Sequence, residues 1–122
     1  MGYYLDRERL TQAMLKHQHG FFSAPACADG EYYRRFRPFC LPQEHAEENL
    51  FAGIRETAQR YFADHHIKWH QGSENGIKPN NHLCSSQVCC VNFLFPFADQ
   101  PEALAALLRP CFPTLMRMLP ME

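Results

Sequence analysis

The chain lacks several features that would assign it to a common class of protein. Its 122 residues include no Cys-x-x-Cys pair, only three lysines and no block of like charge. The formal net charge of −1 gives no global attraction to nucleic acid or to anionic lipid. The longest apolar run, residues 88–97, is interrupted by Asn92 and Pro96 and is far too short to span a bilayer. We therefore expect one globular domain over residues 1–122, with enough chain to bury a core and no membrane partner.

The N-terminal sequence also lacks the apolar segment of a secretory signal, because its first ten residues are polar and charged. We therefore expect a cytoplasmic protein, and thiols in that compartment are normally reduced. The six cysteines are irregularly spaced and include the adjacent pair Cys89 and Cys90. This usage predicts packing thiols and no disulfide framework.

Hydrophobic periodicity predicts a mainly α fold, with three to four helices and at most one or two short strands. An irregular N-terminal region, residues 1–42, is expected to hold one short amphipathic helix over residues 5–15. Residues 43–122 are expected to be helical, and their longest helix is predicted over residues 44–67. The predicted apolar stripe of that helix is Leu50, Phe51, Ile54, Ala58, Tyr61 and Phe62.

Residues 82–97, HLCSSQVCCVNFLFPF, combine three cysteines and a histidine with the most apolar sequence in the chain. As a strand, alternate residues would line one face. As a helix, Ser85 or Ser86 would form the N-cap, and Ser85, Cys89 and Asn92 would share the outer face. We favour the helix because Ser-Ser-Gln is a helix start signal. A further helix is predicted from Pro101 to Leu108, preceded by a capping-box sequence, DQPE.

The histidines and cysteines raise the hypothesis of a zinc-stabilised domain. His66 and His70 have the spacing of half a zinc site, and His82, Cys84 and Cys89 could supply the other half. The alternative is a polar helix end, where cationic side chains suit exposed carbonyls, together with cysteines that pack as small apolar residues. The gap of five between the two cysteines is unusual for a zinc knuckle and favours the alternative.

Two groups of charged residues could bind ligands. Arg34, Arg35 and Arg37 alternate with aromatic residues, a combination that suits phosphate contacts and base stacking, although it also fits a half-buried strand with one solvated face. Glu44, Glu47 and Glu48 could ligate magnesium with a partner, but carboxylates at a helix N-terminus also complement its dipole.

A set of short segments carries a more specific signal. They are ENLF at 48–51, YF at 61–62, IKWH at 67–70, HLCSSQ at 82–87, VNFLFP at 91–96 and the Pro-x-x-Leu helix that follows. Together they span about residues 48–109 and resemble a family of bacterial restriction-endonuclease-like proteins in the PD-(D/E)XK nuclease superfamily.

The resemblance implies a chemistry that can be compared with this sequence. Such nucleases place an Asp and a (Asp/Glu)-x-Lys pair on neighbouring strands, where the carboxylates hold Mg²⁺ and the Lys helps to activate water. No lysine here has an acidic residue two positions before it. The resemblance therefore implies the helical N-terminal part of an α/β nuclease fold that lacks its catalytic sheet. Complete relatives would hydrolyse DNA with Mg²⁺, whereas this chain alone would be inactive.

The resemblance also implies candidate site residues. His82 and Gln87 lie in the best-matching segment and could reach a scissile phosphate or orient a carboxylate, and Glu48 is a candidate outer carboxylate. The alternative is that these side chains are buried hydrogen-bonding groups. DNA is the partner that the resemblance implies.

The C-terminal residues 111–121 are apolar where a free terminus is usually polar. We expect this segment to dock on the domain itself, on another chain or on a catalytic segment that this sequence does not include. It supports a second hypothesis, in which the chain is a small helical interaction module that docks or self-associates through this segment.

Overall fold

The structure, a computed structural model, describes residues 2–18 and 20–119. Its α-helices are α1 (Tyr3–Leu15), α2 (Arg55–Asp64), α3 (Ser73–Gly76), α4 (Ser86–Leu94) and α5 (Pro101–Leu108). Short 3₁₀ segments cover Pro25–Cys27, Gln43–Asn49 and Phe95–Phe97, and two antiparallel strands are β1 (Gly30–Tyr32) and β2 (Arg35–Arg37). The predicted mainly α fold with few short strands is confirmed.

The apolar core forms where α2, α4 and the segment after α2 meet. Its buried residues are Leu50, Ile54, Ala58, Phe62, Trp69 and Val88. The rings of Phe62 and Trp69 stack with their centroids 3.9 Å apart. Most of the predicted apolar stripe therefore does face the core, and Trp69 adds the largest buried side chain.

The prediction of one long helix over residues 44–67 is wrong, because the chain leaves helical geometry at Leu50 (φ −88°, ψ 134°) and α2 begins only at Arg55. The break is stabilised by Arg55, whose guanidinium donates to the carbonyls of Glu47 and Leu50 at 2.9–3.1 Å. Phe51 is consequently 48% exposed and does not belong to the core stripe.

The helix predicted over residues 5–15 is confirmed as α1, but its predicted amphipathic packing is wrong. No residue of α1 is buried, and Leu10 and Met14 lie in solvent. The helix is instead held at its C-terminal end by Lys16, which is completely buried. The Lys16 ammonium donates to the carbonyls of Ala28 and Cys40 at 2.5 and 2.6 Å.

Helices α4 and α5 form where the sequence predicts them. Ser85 is the N-cap of α4, and its hydroxyl accepts a hydrogen bond from the Val88 amide at 3.4 Å. Asn92 does not lie on a solvent-facing strip, because its side chain binds the Asn49 carbonyl and the Phe51 amide. The predicted capping box before α5 is also wrong: its N-cap is Gln100, with no side-chain cap.

Candidate functional site

A polar cleft of about 230 Å³ lies between α1, the end of β1 and the start of α4. Its lining includes Arg9, Tyr32, His70, His82, Ser85 and Ser86. A larger cleft of about 580 Å³ between α2 and residues 95–100 contains none of the predicted site residues. The smaller cleft is therefore the candidate site, because HLCSSQ supplies one side of it.

His82 is a strongly buried polar side chain of this cleft, with only 7% of its surface exposed. Its ring packs between Tyr32 and Phe39, at centroid distances of 4.9 and 5.0 Å. Its Nδ1 accepts a hydrogen bond from the Cys84 amide at 2.9 Å, so the neutral ring carries its proton on Nε2. Burial, aided by the nearby charge of Arg9, lowers the pKa of His82 to about 4, which keeps the ring neutral at pH 7.

Three buried asparagines fix the backbone that carries His82. The Asn49 amide donates to the carbonyls of Asn80 and His82 at 2.8 and 2.9 Å. The Asn80 side chain in turn accepts from the His82 amide, and Asn81 donates to the Glu31 carbonyl in β1. The sequence analysis did not predict a role for these residues. Asn49 was noted only as part of the ENLF segment, and Asn80 and Asn81 have the composition of an ordinary loop.

Gln87 connects α4 to the segment that follows α2. Its Oε1 accepts from the His70 amide at 2.7 Å, and its Nε2 donates to the Lys68 carbonyl at 3.3 Å. Gln87 does not line the cleft itself, but these bonds hold the backbone of His70, which does.

Glu48 lies apart from His82 and Gln87 and does not line the cleft. Its carboxylate accepts from the Ser23 amide and hydroxyl at 2.8 and 2.7 Å, and it lies 3.1 Å from His45 Nδ1. Burial by itself would raise the pKa of Glu48, but these hydrogen bonds and the nearby His45 and Arg55 together lower it. The visible role of Glu48 is thus to anchor the segment after α1.

The three arginines lie on the hairpin of β1 and β2, which a two-residue turn joins. Both turn residues, Tyr33 and Arg34, have positive φ, at 48° and 62°. Such turns normally use Asn or Gly, because a larger side chain pays steric strain there. Arg34 and Arg35 are exposed, whereas Arg37 is half-buried and lines a neighbouring cleft with Arg9. Phe36 is 73% exposed and does not pack on the core.

A metal centre does not assemble in the part of the chain that the structure describes. No three His, Cys, Asp or Glu side chains there come close enough to hold a metal ion. The zinc ligands predicted from sequence spacing do not converge. Cys89 is exposed, and His82 Nδ1 accepts a hydrogen bond from the Cys84 amide. The described residues therefore fit neither the zinc hypothesis nor a Mg²⁺ site.

The neutral state of His82 predicts a pH-dependent stability. Because folding lowers the pKa of His82 from 6.5 to about 4, the unfolded chain protonates this ring more readily than the folded protein between these two pH values. The contribution of the neutral His82 ring to the free energy of unfolding is complete above pH 6.5 and is lost as the pH falls toward 4. At 1.36 kcal/mol per pKa unit, the loss is at most about 3 kcal/mol. We expect urea unfolding to show this loss, and a His82→Gln variant to have a shallower slope between these pH values. An equal slope in both proteins would contradict the assignment.

The structure thus defines a mainly α protein with a donor-lined cleft and a basic hairpin. Residues 8–117 match a family model described as Restriction Endonuclease associating with ARP, and the chain belongs to this family. The predicted resemblance to a restriction-endonuclease family is confirmed at that level. Searches of curated proteins and of solved structures gave no match. None of the helices in the described residues is long and apolar enough to cross a membrane.

Proposed function

We propose that this chain is the DNA-contacting, helical part of a PD-(D/E)XK-type restriction endonuclease of the cytoplasm. In complete relatives the reaction is Mg²⁺-dependent hydrolysis of a phosphodiester bond, and the 122 residues alone do not catalyse it. The observation that carries the proposal is the exposed hairpin, whose turn presents Tyr33 and Arg34 to solvent and whose second strand presents Arg35 and Phe36.

The hairpin turn supports DNA contact because its residues have a backbone conformation that is sterically unfavourable for them. Tyr33 and Arg34 hold positive φ at a turn where Asn-Gly would fit without strain. Tyr33 is also 74% exposed, although its ring contacts that of Tyr32 edge-on at a centroid distance of 4.5 Å. Guanidinium groups pair with phosphate oxygens, and exposed aromatic rings stack on bases. A strained turn that displays both groups is better explained by a ligand than by folding.

The proposed lack of hydrolysis rests on the residues of this chain. It contains no (Asp/Glu)-x-Lys sequence, and Glu48 is engaged by Ser23 and His45. A nuclease of this type needs at least two carboxylates that face the same metal ion. The catalytic strands of the complete enzyme are therefore expected outside these residues.

Fluorescence anisotropy with a short DNA duplex tests the proposal. The double variant Arg34→Gln/Arg35→Gln should weaken binding by about 10- to 100-fold, because two phosphate contacts are lost, and should reduce the salt slope by about two. The control is Arg7→Gln/Arg60→Gln, which removes the same charge from exposed sites on α1 and α2. Equal loss in both variants would contradict a specific role for the hairpin.

The same wild-type samples test hydrolysis. Supercoiled plasmid incubated with Mg²⁺ should remain intact, since the chain lacks the carboxylate pair. Cleavage activity that follows the protein through every purification step would overturn this part of the proposal.

A second candidate function, an interaction module, is favoured by the exposed apolar residues near the C-terminus. Phe112, Met116 and Leu119 are 59%, 87% and 73% exposed, and Arg109 binds the Met116 carbonyl at 3.0 Å. The predicted docking segment, residues 111–121, continues into residues 120 and 121, which lie outside the described part of the chain. If removal of residues 111–122 abolishes self-association in sedimentation and leaves DNA anisotropy unchanged, this candidate gains over the first.

A further inference from the structure

The N-terminus of α4 faces the His82 cleft with unused backbone donors. Ser85 accepts the Val88 amide, but the amides of Ser86 and Gln87 have no acceptor among the described residues. The first amides of a helix carry partial positive charge and bind anions when a second group completes the site. Ser86 lines the cleft and is exposed, so its amide is accessible from that side.

His82 provides the second, independent observation. It is more than nine-tenths buried and lines the same cleft. Its Nδ1 is occupied by the Cys84 amide, whereas its Nε2 forms no hydrogen bond to the described residues. Nε2 is not sealed in the core, so this donor is available to a ligand with an acceptor oxygen that enters the cleft.

Arg9 adds positive charge to the cleft. Its guanidinium lies 4.8 Å from the Phe39 ring centroid and 5.8 Å from that of Tyr32, which fixes its position. Its Nε is buried and has no partner in the described residues, and its Nη1 lies 3.9 Å from the Asp6 carboxylate. This separation is too long for a hydrogen bond, so the guanidinium retains capacity for an anion.

We propose that the His82 cleft binds a phosphate group, through the Ser86 amide, His82 Nε2 and Arg9. The inference deepens the proposed function, since the phosphate would belong to the DNA, either within its backbone or at a 5′ end. The cleft of about 230 Å³ is several times the roughly 30 Å³ share of one water molecule, so a phosphate group fits.

A proline substitution tests the amide contact without disturbing the fold. Ser86→Pro removes the first amide of α4, where proline is well accepted, and Ser85 has the extended backbone (φ −63°, ψ 119°) that a following proline requires. Ser86→Ala is the matched control, because it removes the hydroxyl and keeps the amide. We expect Ser86→Pro to weaken inorganic phosphate binding about tenfold or more in an NMR titration, and Ser86→Ala to weaken it less.

Two results would overturn the inference. One is wild-type protein that shows no saturable phosphate shift at the Cys84, Ser86 or Gln87 amides. The other is Ser86→Pro protein that binds phosphate as tightly as Ser86→Ala. A His82→Gln variant, compared at equal folded fraction, should also lose about tenfold in affinity.

Two duplexes distinguish the sources of the phosphate, one with 5′-hydroxyl and one with 5′-phosphate ends. If Ser86→Pro weakens binding to both equally, the cleft takes a backbone phosphate. If only the phosphorylated duplex is affected, the cleft takes a 5′ end.

Failure of the inference is distinguishable from failure of the proposed function. DNA binding that depends on Arg34 and Arg35 but not on Ser86 would refute the phosphate site and leave the proposed function intact. Phosphate binding that depends on Ser86, in a protein with no DNA affinity, would refute the proposed function and leave the phosphate site intact.

Discussion

Replacement of Lys16 by methionine is expected to lower the free energy of unfolding by about 1–3 kcal/mol, a large share of the stability of a small domain. The Lys16 side chain is completely buried and joins the end of α1 to three carbonyls, those of Ala28, Pro38 and Cys40. Methionine has a similar volume but no donor, so the Ala28 and Pro38 carbonyls would lose this bond and the Cys40 carbonyl would keep only the Gly30 amide.

Urea unfolding of Lys16→Met and of a control, Lys68→Met, measures this effect. Lys68 is exposed, and its replacement should change the stability by no more than about 0.5 kcal/mol. Burial lowers the pKa of Lys16, while the Asp29 carboxylate opposes that shift. If Lys16→Met unfolds at the same urea concentration as Lys68→Met, the three carbonyl contacts do not stabilise the protein.

Replacement of Asn49 by leucine is expected to cost about 2–4 kcal/mol and to disturb the cleft as well. The side-chain amide of Asn49 donates to the buried backbone carbonyls of Asn80 and His82. The backbone carbonyl of Asn49 accepts a hydrogen bond from the Asn92 side chain. Leucine fits the volume but leaves the Asn80 carbonyl unpaired and the His82 carbonyl with only the Ser85 amide. The backbone that carries the His82 ring would then be held less firmly.

The measurement combines unfolding with the NMR signal of the His82 ring. In Asn49→Leu we expect that signal to shift or broaden at pH 7, together with the loss of stability. The control is Gln18→Leu, which replaces an exposed amide that forms no side-chain hydrogen bond in the structure. An unshifted His82 signal in a destabilised Asn49→Leu protein would separate the fold role of Asn49 from its role in the site.

Much of the candidate site was visible in the sequence, although its arrangement was not. HLCSSQ predicted a helix start at Ser85 or Ser86 and singled out His82 and Gln87 as candidate site residues. The structure places His82, Ser85 and Ser86 on one cleft. Gln87, from the same segment, faces the backbone of His70 instead. The contribution of Arg9 was missed, because a single arginine on an exposed helix has no distinguishing local pattern.

The sequence by itself determined what depends on local rules. Periodicity and start signals located α1, α4 and α5, because helix formation depends on neighbours three and four residues apart. The absence of an (Asp/Glu)-x-Lys sequence likewise needed no coordinates.

Only the tertiary structure decided how polar groups are buried. Lys16 binds a carbonyl 24 residues away, and Asn49 binds one 33 residues away. No local pattern encodes such pairs, because a buried donor is stable only where the fold brings it an acceptor.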